Sequence, residues 1–485
     1  MMKKRTIYFN DARHYYLFVF EPPMDLQDAW VPIDECAGTS VNTFVYGVSR
    51  ADGLFYPSKT SMRFGEDIRP FKQNAYYRVW HNMQSLIDRG LDPLQVLIDR
   101  AHDKQMDFFA SLRLGAYGGM DPAHSVTNGG RGWVNPEIRN KIFDILSELT
   151  LNYNTDGVEL DFAAPPGGGP QCLRKEDVPQ YTDMITEWVA SVSQMAKNRR
   201  PDKAEIGARI YPTKELNINH GYDIDTWLSE GYIDYVTPML YAHNLIDTNK
   251  PIEWLVDIAH NHDVSVYPML EPYYNREQRP YHTREWATPE MLRATVSNYW
   301  NMNVDGIYTY FLKWPLGNQE REILTELSDP DLILEKDKHY IIDRATETSE
   351  SVGYETKLPI KIPRIHESIT KSLTFNLSDD FENRKQRISS ITLKIHIGEL
   401  VSDDRLKILL NGNSLESEHC KRYSSNEISA YHGQWLEFNL SNIRPIKGSN
   451  KLDITLISHP VDLVSTLVIE DIEVVVKYHY YSSKL

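Results

Sequence analysis

The sequence predicts an α/β chain: a (β/α)8 barrel followed by an all-β sandwich. Three observations predict it. From about residue 12 to 328, short apolar runs alternate with longer amphipathic ones, the pattern of a parallel βα protein. Beyond residue 364 the periodicity becomes two, with apolar and polar residues taking turns. No GxGxxG follows any early run, which argues against a doubly wound sheet.

Eight strands are expected, at Tyr15–Phe20, Thr43–Val48, Asp107–Leu112, Gly157–Phe162, Glu205–Tyr211, Tyr235–Tyr241, Val264–Leu270 and Gly306–Phe311. Helix-like stretches lie between them, among them Pro136–Leu149, Val178–Lys197, Ile252–His260 and Pro289–Trp300. Pro136 and Pro289 suit a first helical turn, and each follows a capping residue, Asn135 or Thr288. Eight such units in ~320 residues fit a barrel with enlarged loops. From Ser328 to Arg364 the composition is that of a linker, with Asp329-Pro330-Asp331 and the charged run Glu335–His339. Alternation then marks sandwich strands around Ile391–Ile397, Trp435–Leu440, Leu452–Leu456 and Leu467–Val474, with Asn411-Gly412 as a turn. The expected division is 1–328 barrel, 329–364 linker and 365–485 sandwich.

The chain has 485 residues, with 52 Lys+Arg against 68 Asp+Glu, a net charge of -16. That balance argues against nucleic-acid binding, which needs clustered cations for phosphate. Cys36, Cys172 and Cys420 stand far apart, which excludes a disulfide scaffold and a thiolate zinc site. No run approaches the ~20 apolar residues of a membrane helix, so no membrane partner is expected. Met1–Arg5 carries the charge of a secretion signal, but Thr6–Asp11 is polar and the next apolar run is too short for its core. As written the chain reads as cytoplasmic; a removed leader would make it secreted or periplasmic. The 29 Tyr and 10 Trp suit stacking on sugar rings, with ordinary packing as the plainer reading.

In such a barrel, side chains at the C-terminal strand ends face the active site. The fourth strand, Asp156-Gly-Val-Glu-Leu-Asp-Phe162, puts Glu159 and Asp161 on one face, ~7 Å apart along the strand. Two carboxylates in one confined mouth push each other's pKa values apart and suit acid and base work. The seventh strand adds Glu271, and the first adds Glu21. Arg113 ends the third, Arg209 and Tyr211 the fifth, and Tyr241 and His243 the sixth. The eighth supplies Tyr308, Tyr310, Lys313 and Trp314. Cleaving a glycosidic bond needs an acid for the leaving oxygen and a carboxylate opposite it, which this set contains. Arg113, Arg209 and Lys313 would suit a sugar carboxylate or sulfate.

The block from Trp133-Val-Asn-Pro-Glu137 through Asn152-Tyr-Asn-Thr-Asp-Gly-Val-Glu-Leu-Asp161 resembles the glycosyl-hydrolase-like family 10 proteins, the domain-of-unknown-function 187 group. Trp227–Tyr241 and Asp305–Tyr310 extend the likeness over about residues 40 to 325. The Asp156–Asp161 strand is also similar to the chitinase-like barrels of glycoside hydrolase family 18. There the catalytic Glu is replaced by Ala163, and the Asp expected after Tyr241 is Ala242, which argues against a chitinase mechanism. The family-10 likeness implies a TIM-barrel glycosidase in which Asp161 carries most weight, with Glu271 chosen as the acid.

Each candidate has a structural alternative. Glu159 could simply pair with Arg113 or Arg209 to neutralise a buried charge, and the mouth aromatics could be packing. Two functions compete: hydrolysis of an oligo- or polysaccharide, and carbohydrate binding without turnover on a degenerate barrel. A metal site using Glu21, Glu159, Asp161, His243 and Glu271 is disfavoured because barrel metal sites draw on several His and only His243 lies at a predicted strand end, so neither metal nor cofactor is expected. The sandwich has three open roles: glycan binding, covering a barrel face, or a homodimer contact.

Overall fold

The computed structural model describes residues 3–11, 16–50, 53–114, 132–163, 173–199, 204–240, 245–275, 285–365, 367–416, 419–424 and 433–480. A curled, all-parallel sheet contains β1 (Arg5–Asp11), β2 (Thr43–Gly47), β3 (Asp107–Arg113), β4 (Gly157–Asp161), β5 (Glu205–Ile210) and β6 (Tyr235–Pro238). It continues through β7 (Ser265–Val266) and β8 (Met269–Leu270), and a hairpin of β9 (Tyr273–Tyr274) and β10 (Glu285–Trp286) precedes β11 (Gly306–Thr309). The order is β8-β11-β1-β2-β3-β4-β5-β6-β7. β7 and β8 belong to one run of chain, yet β7 pairs with β6 while β8 pairs with β11. The two ends of the sheet therefore meet in that run.

These strands are buried on both faces, as a parallel sheet covered by helices requires. The expected caps form: the Asn135 side chain accepts from Glu137 N at 2.9 Å, and Thr288 caps the helix Pro289–Asn301. Inside the curl, large aromatics face glycines. A Cβ at Gly207 would fall 2.0 Å from the Tyr235 ring, and one at Gly157 2.3 Å from Phe109.

The first strand is not Tyr15–Phe20. β1 is Arg5–Asp11, every residue of it buried, whereas Tyr16–Val19 forms a short helix. The polar look of β1 comes from inward-facing charges that find partners. Arg5 binds Glu205 and Asp107 at 2.8 Å each. Ile7 and Phe9 on the same face join the interior cluster with Tyr308 and Tyr310.

The stretch expected as a linker is largely structured. Asp329-Pro330 opens the short helix Pro330–Ile333, the Asp329 side chain accepting from Asp331 N. β12 (Lys338–Ile341) and β13 (Ile360–Ile362) flank the helix Glu347–Val352. The charged run survives burial because Lys338 Nζ meets Asp379 at 2.8 Å. Beyond it come β14 (Thr370–Leu377), β15 (Ile388–Gly398), β16 (Arg405–Leu410), β17 (Asn413–Ser414), β18 (Cys420–Ser424), β19 (Gln434–Asn439), β20 (Gly448–Ser458) and β21 (Leu467–Tyr478). They form two antiparallel sheets, β12-β21-β15-β19-β18 with β13 also on β21, and β14-β20-β16-β17. The alternation puts Leu393 and Ile395 of one sheet and Phe375 and Ile454 of the other in a common core. Asn411 and Gly412, at φ 51° and 83°, make the two-residue turn between β16 and β17.

The β domain packs on the curled sheet's periphery. Thr248 Oγ1 donates to Ile341 O at 2.6 Å, Asn298 Nδ2 to Asn376 O at 3.0 Å, and Tyr354 OH to Asp247 Oδ2 at 2.9 Å. Among the described residues, no helix is long and apolar enough to cross a membrane.

Candidate active site

Alternation along β4 points Glu159 and Asp161 into the curl, where both are fully buried. Their surroundings differ. Glu159 meets Arg209 Nε at 2.6 Å and accepts from Tyr308 OH and Tyr235 OH, each at 3.1 Å. Both of its oxygens are thereby engaged. Asp161 meets Arg209 Nη1 at 3.3 Å and Arg113 Nε at 4.0 Å through Oδ2, and among the described residues its Oδ1 has no hydrogen-bond partner. Burial pushes the Asp161 carboxyl above its ordinary range, against the pull of Arg209 and Arg113.

Arg209 is the centre of this cluster. Its guanidinium lies 3.9 Å from the Phe9 ring centre, a cation–π contact, and donates to Tyr308 OH. Burial alone would lower its pKa, but Glu159, Tyr308, Asp161 and Tyr310 together outweigh it and the group is held above its usual value. Arg113, at the end of β3, binds Asp11 Oδ2 at 2.8 Å. Asp11 ends β1 and is the mouth carboxylate that sequence reasoning missed. The signal for it was the inward series Ile7, Phe9, Asp11. Three carboxylates thus share two guanidinium groups.

Glu21, expected at a strand end, instead lies exposed beyond the Tyr16–Val19 helix and accepts from Arg78 Nε at 2.7 Å. That follows from the relocated first strand. Glu271, one residue past β8, is buried and meets Lys250 Nζ at 2.5 Å through Oε1, while its Oε2 has no partner among the described residues. Burial pushes its carboxyl up to about 7, with Lys250 opposing the rise and Asp247 adding to it. It lines a cavity of about 50 Å³ with Leu245, Asp247, Lys250, Asp343 and Tyr354, between the strand ends and the β domain. Lys250 also donates to Met269 O at 2.8 Å and was not anticipated from sequence.

Tyr308 and Tyr310 are buried in the interior, the Tyr310 ring centre 5.1 Å from that of Phe9. Tyr211 packs instead against His220, at 4.4 Å between ring centres, and Tyr222. Lys313 is exposed, and Trp314 meets the Phe20 ring edge-on at 6.3 Å. Tyr241 and His243 lie outside the described residues, as does Ala242. Ala163, where the chitinase-like barrels carry their acid, is buried in the interior cluster. Among the described residues, no three His, Cys, Asp or Glu side chains are grouped to hold a metal ion.

The structure thus holds two separate groups: Asp161 beside Arg209 and Arg113, its Oδ1 without a hydrogen-bond partner among the described residues, and Glu271 beside Lys250 in the cavity against the β domain.

No family model and no curated protein sequence matches this chain. Among solved structures, it is similar to a Paenibacillus sp. cycloisomaltooligosaccharide glucanotransferase complexed with cycloisomaltoheptaose, at 10% identity and TM-score 0.37 over 96% of this chain and 57% of that one. This chain thus spans under two thirds of the glucanotransferase's length. A GH29 α-L-fucosidase from Bacteroides thetaiotaomicron is similar at 11% identity and TM-score 0.38, over 92% and 84% of the two chains. The Bacillus megaterium spore cortex-lytic enzyme SleL is similar at 9% identity and TM-score 0.40, over 67% and 74%. These neighbours are enzymes, two of them named for sugars.

Proposed function

We propose that the chain is a glycoside hydrolase acting at the C-terminal mouth of a (β/α)8 barrel, with residues 365–485 as an accessory sandwich. The observation that carries this reading is Asp161: a strand-end carboxylate held by Arg209 and Arg113, its Oδ1 without a hydrogen-bond partner among the described residues. Glu271 is the acid, near neutrality at physiological pH and able to protonate the leaving oxygen. Asp161 faces the anomeric carbon and stabilises or captures the oxocarbenium-like centre as the bond breaks. Glu159, fully engaged, positions Arg209. Because both guanidinium groups are paired with acids, a neutral sugar suits the reacting position, and an anionic substituent would fall to Lys313.

The test is hydrolysis of a glycan panel by the wild type, Asp161→Asn and Glu271→Gln. Each variant is expected to lose roughly 10²–10⁴-fold in kcat on a substrate the wild type cleaves. Release of no sugar from any substrate, or full activity of Asp161→Asn, would refute the reading. The burial of both acids, together with Ala163, favours one competitor: a carbohydrate-binding protein without turnover. Calorimetric saccharide binding with no product after long incubation would establish that instead.

A further inference from the structure

Exposed tryptophan is uncommon because its large apolar surface gains most from burial. Trp286 is 36% exposed, yet it stands on a well-braced hairpin. β9 and β10 pair Tyr273 with Trp286, Tyr274 OH donates to Glu285 Oε2 at 2.6 Å, and Ala287 N donates to Pro272 O at 2.8 Å. Three contacts thus fix a two-residue ladder that follows directly on β8 and Glu271.

The ring itself is held. Its centre lies 4.6 Å from Tyr273 and 6.0 Å from Phe311, which meets it edge-on at 77°. Phe311 continues to Tyr310 at 4.6 Å, Tyr310 to Phe9 at 5.1 Å, and Phe9 lies under Arg209 at 3.9 Å. Arg209 in turn holds Asp161 at 3.3 Å. An unbroken line of rings therefore joins the exposed tryptophan to the proposed reacting carboxylate, and Trp286 is its outer end.

We propose that Trp286, braced by Tyr273 and Phe311, is a stacking subsite for a pyranose ring of the glycan chain, outside the reacting position. A pyranose presents a flat array of C–H groups on one face and hydroxyls around its edge, which matches an aromatic face with a wet rim. Because the ring is already immobilised, binding loses little side-chain freedom there. The subsite rests on the hydrolase reading and deepens it: the substrate is an oligo- or polysaccharide rather than a small glycoside, since only a chain reaches both Asp161 and Trp286.

The experiment compares wild type, Trp286→Ala and Trp286→Phe on neutral α-gluco-, β-gluco-, β-xylo- and β-manno-hexasaccharides and on the matching nitrophenyl monosaccharides. For the glycan that is cleaved, the ratio of kcat/KM for hexasaccharide to that for monosaccharide should fall about tenfold in Trp286→Ala, with the loss in KM, and less in Trp286→Phe. An unchanged ratio would overturn the subsite while leaving hydrolysis standing. Absence of turnover on every glycan refutes the hydrolase reading instead, and the subsite is then read by calorimetry with the same hexasaccharides. Weaker binding by Trp286→Ala than by wild type sustains it, and equal or no binding overturns it.

Discussion

Glu159 and Asp161 are two residues apart on one strand and face the same way, yet they have different work. The deeper one is saturated by Arg209 and two tyrosine hydroxyls, while the outer one keeps an oxygen without a partner among the described residues. Their distinct environments predict distinct costs. Glu159→Gln leaves the buried Arg209 short of its closest counter-charge and should destabilise the protein by roughly 3 kcal/mol, measured as a lowered urea midpoint. Asp161→Asn, whose carboxyl lies farther from the guanidinium groups, 3.3 Å from Arg209 and 4.0 Å from Arg113, should cost much less stability than Glu159→Gln. Equal losses would mean that the two carboxylates carry the same structural load. The face shared by this pair was legible from strand alternation alone. The resemblance already weighted Asp161 over Glu159; that two tyrosine hydroxyls engage Glu159 was not legible, because Tyr235 and Tyr308 come from other strands.

At the scale of the element, seven of the eight strand positions were legible because their residues are β-branched or aromatic runs between turn signals. β1 was not. Its inward face carries Arg5 and Asp11 at its two ends, and a polar-ended run looks like a loop until its partners on β3 and β5 are known. That misplacement removed Asp11 from the candidate set and put Glu21 in its place. Linker composition misled in the same way, since Lys338 and Asp379 neutralise each other only in three dimensions. The interior aromatics impose a further rule on β5. Gly207→Ala drives a methyl into Tyr235, which is itself tied to Glu159, and should cost about 1–3 kcal/mol in a denaturant titration. A neutral outcome would show that Tyr235 is free to move.

For the whole molecule, the cavity between the strand ends and the β domain sets a pH dependence. Glu271 and Asp343 are each pushed up to about 7, mainly by burial, with Asp247 adding to both rises. Lys250 and Lys357 oppose those rises, and Tyr354 and Arg344 also line the space. A carboxyl raised on folding favours the folded state while protonated. Its contribution is full below the unfolded value of about 4.5 and is lost as pH rises through 7. Thermal stability should therefore decline between pH 5 and 8, by at most about 3 kcal/mol for Glu271. Glu271→Gln should flatten that decline, and an identical slope in the variant would rule the cavity out as its source.

The order of strands in the curled sheet also has a consequence in time. β1 lies between β2 and β11, with Arg5 opposite Gly306, so the first strand made waits for the last one made. At 5–20 residues per second, that interval on a ribosome is roughly 15–60 s. Throughout it one edge of β1 has no neighbour, and hydrophobic strand edges left open invite association with other chains. A nascent chain halted before Gly306 should accordingly be a chaperone client, and release from that dependence should come only once β11 has emerged.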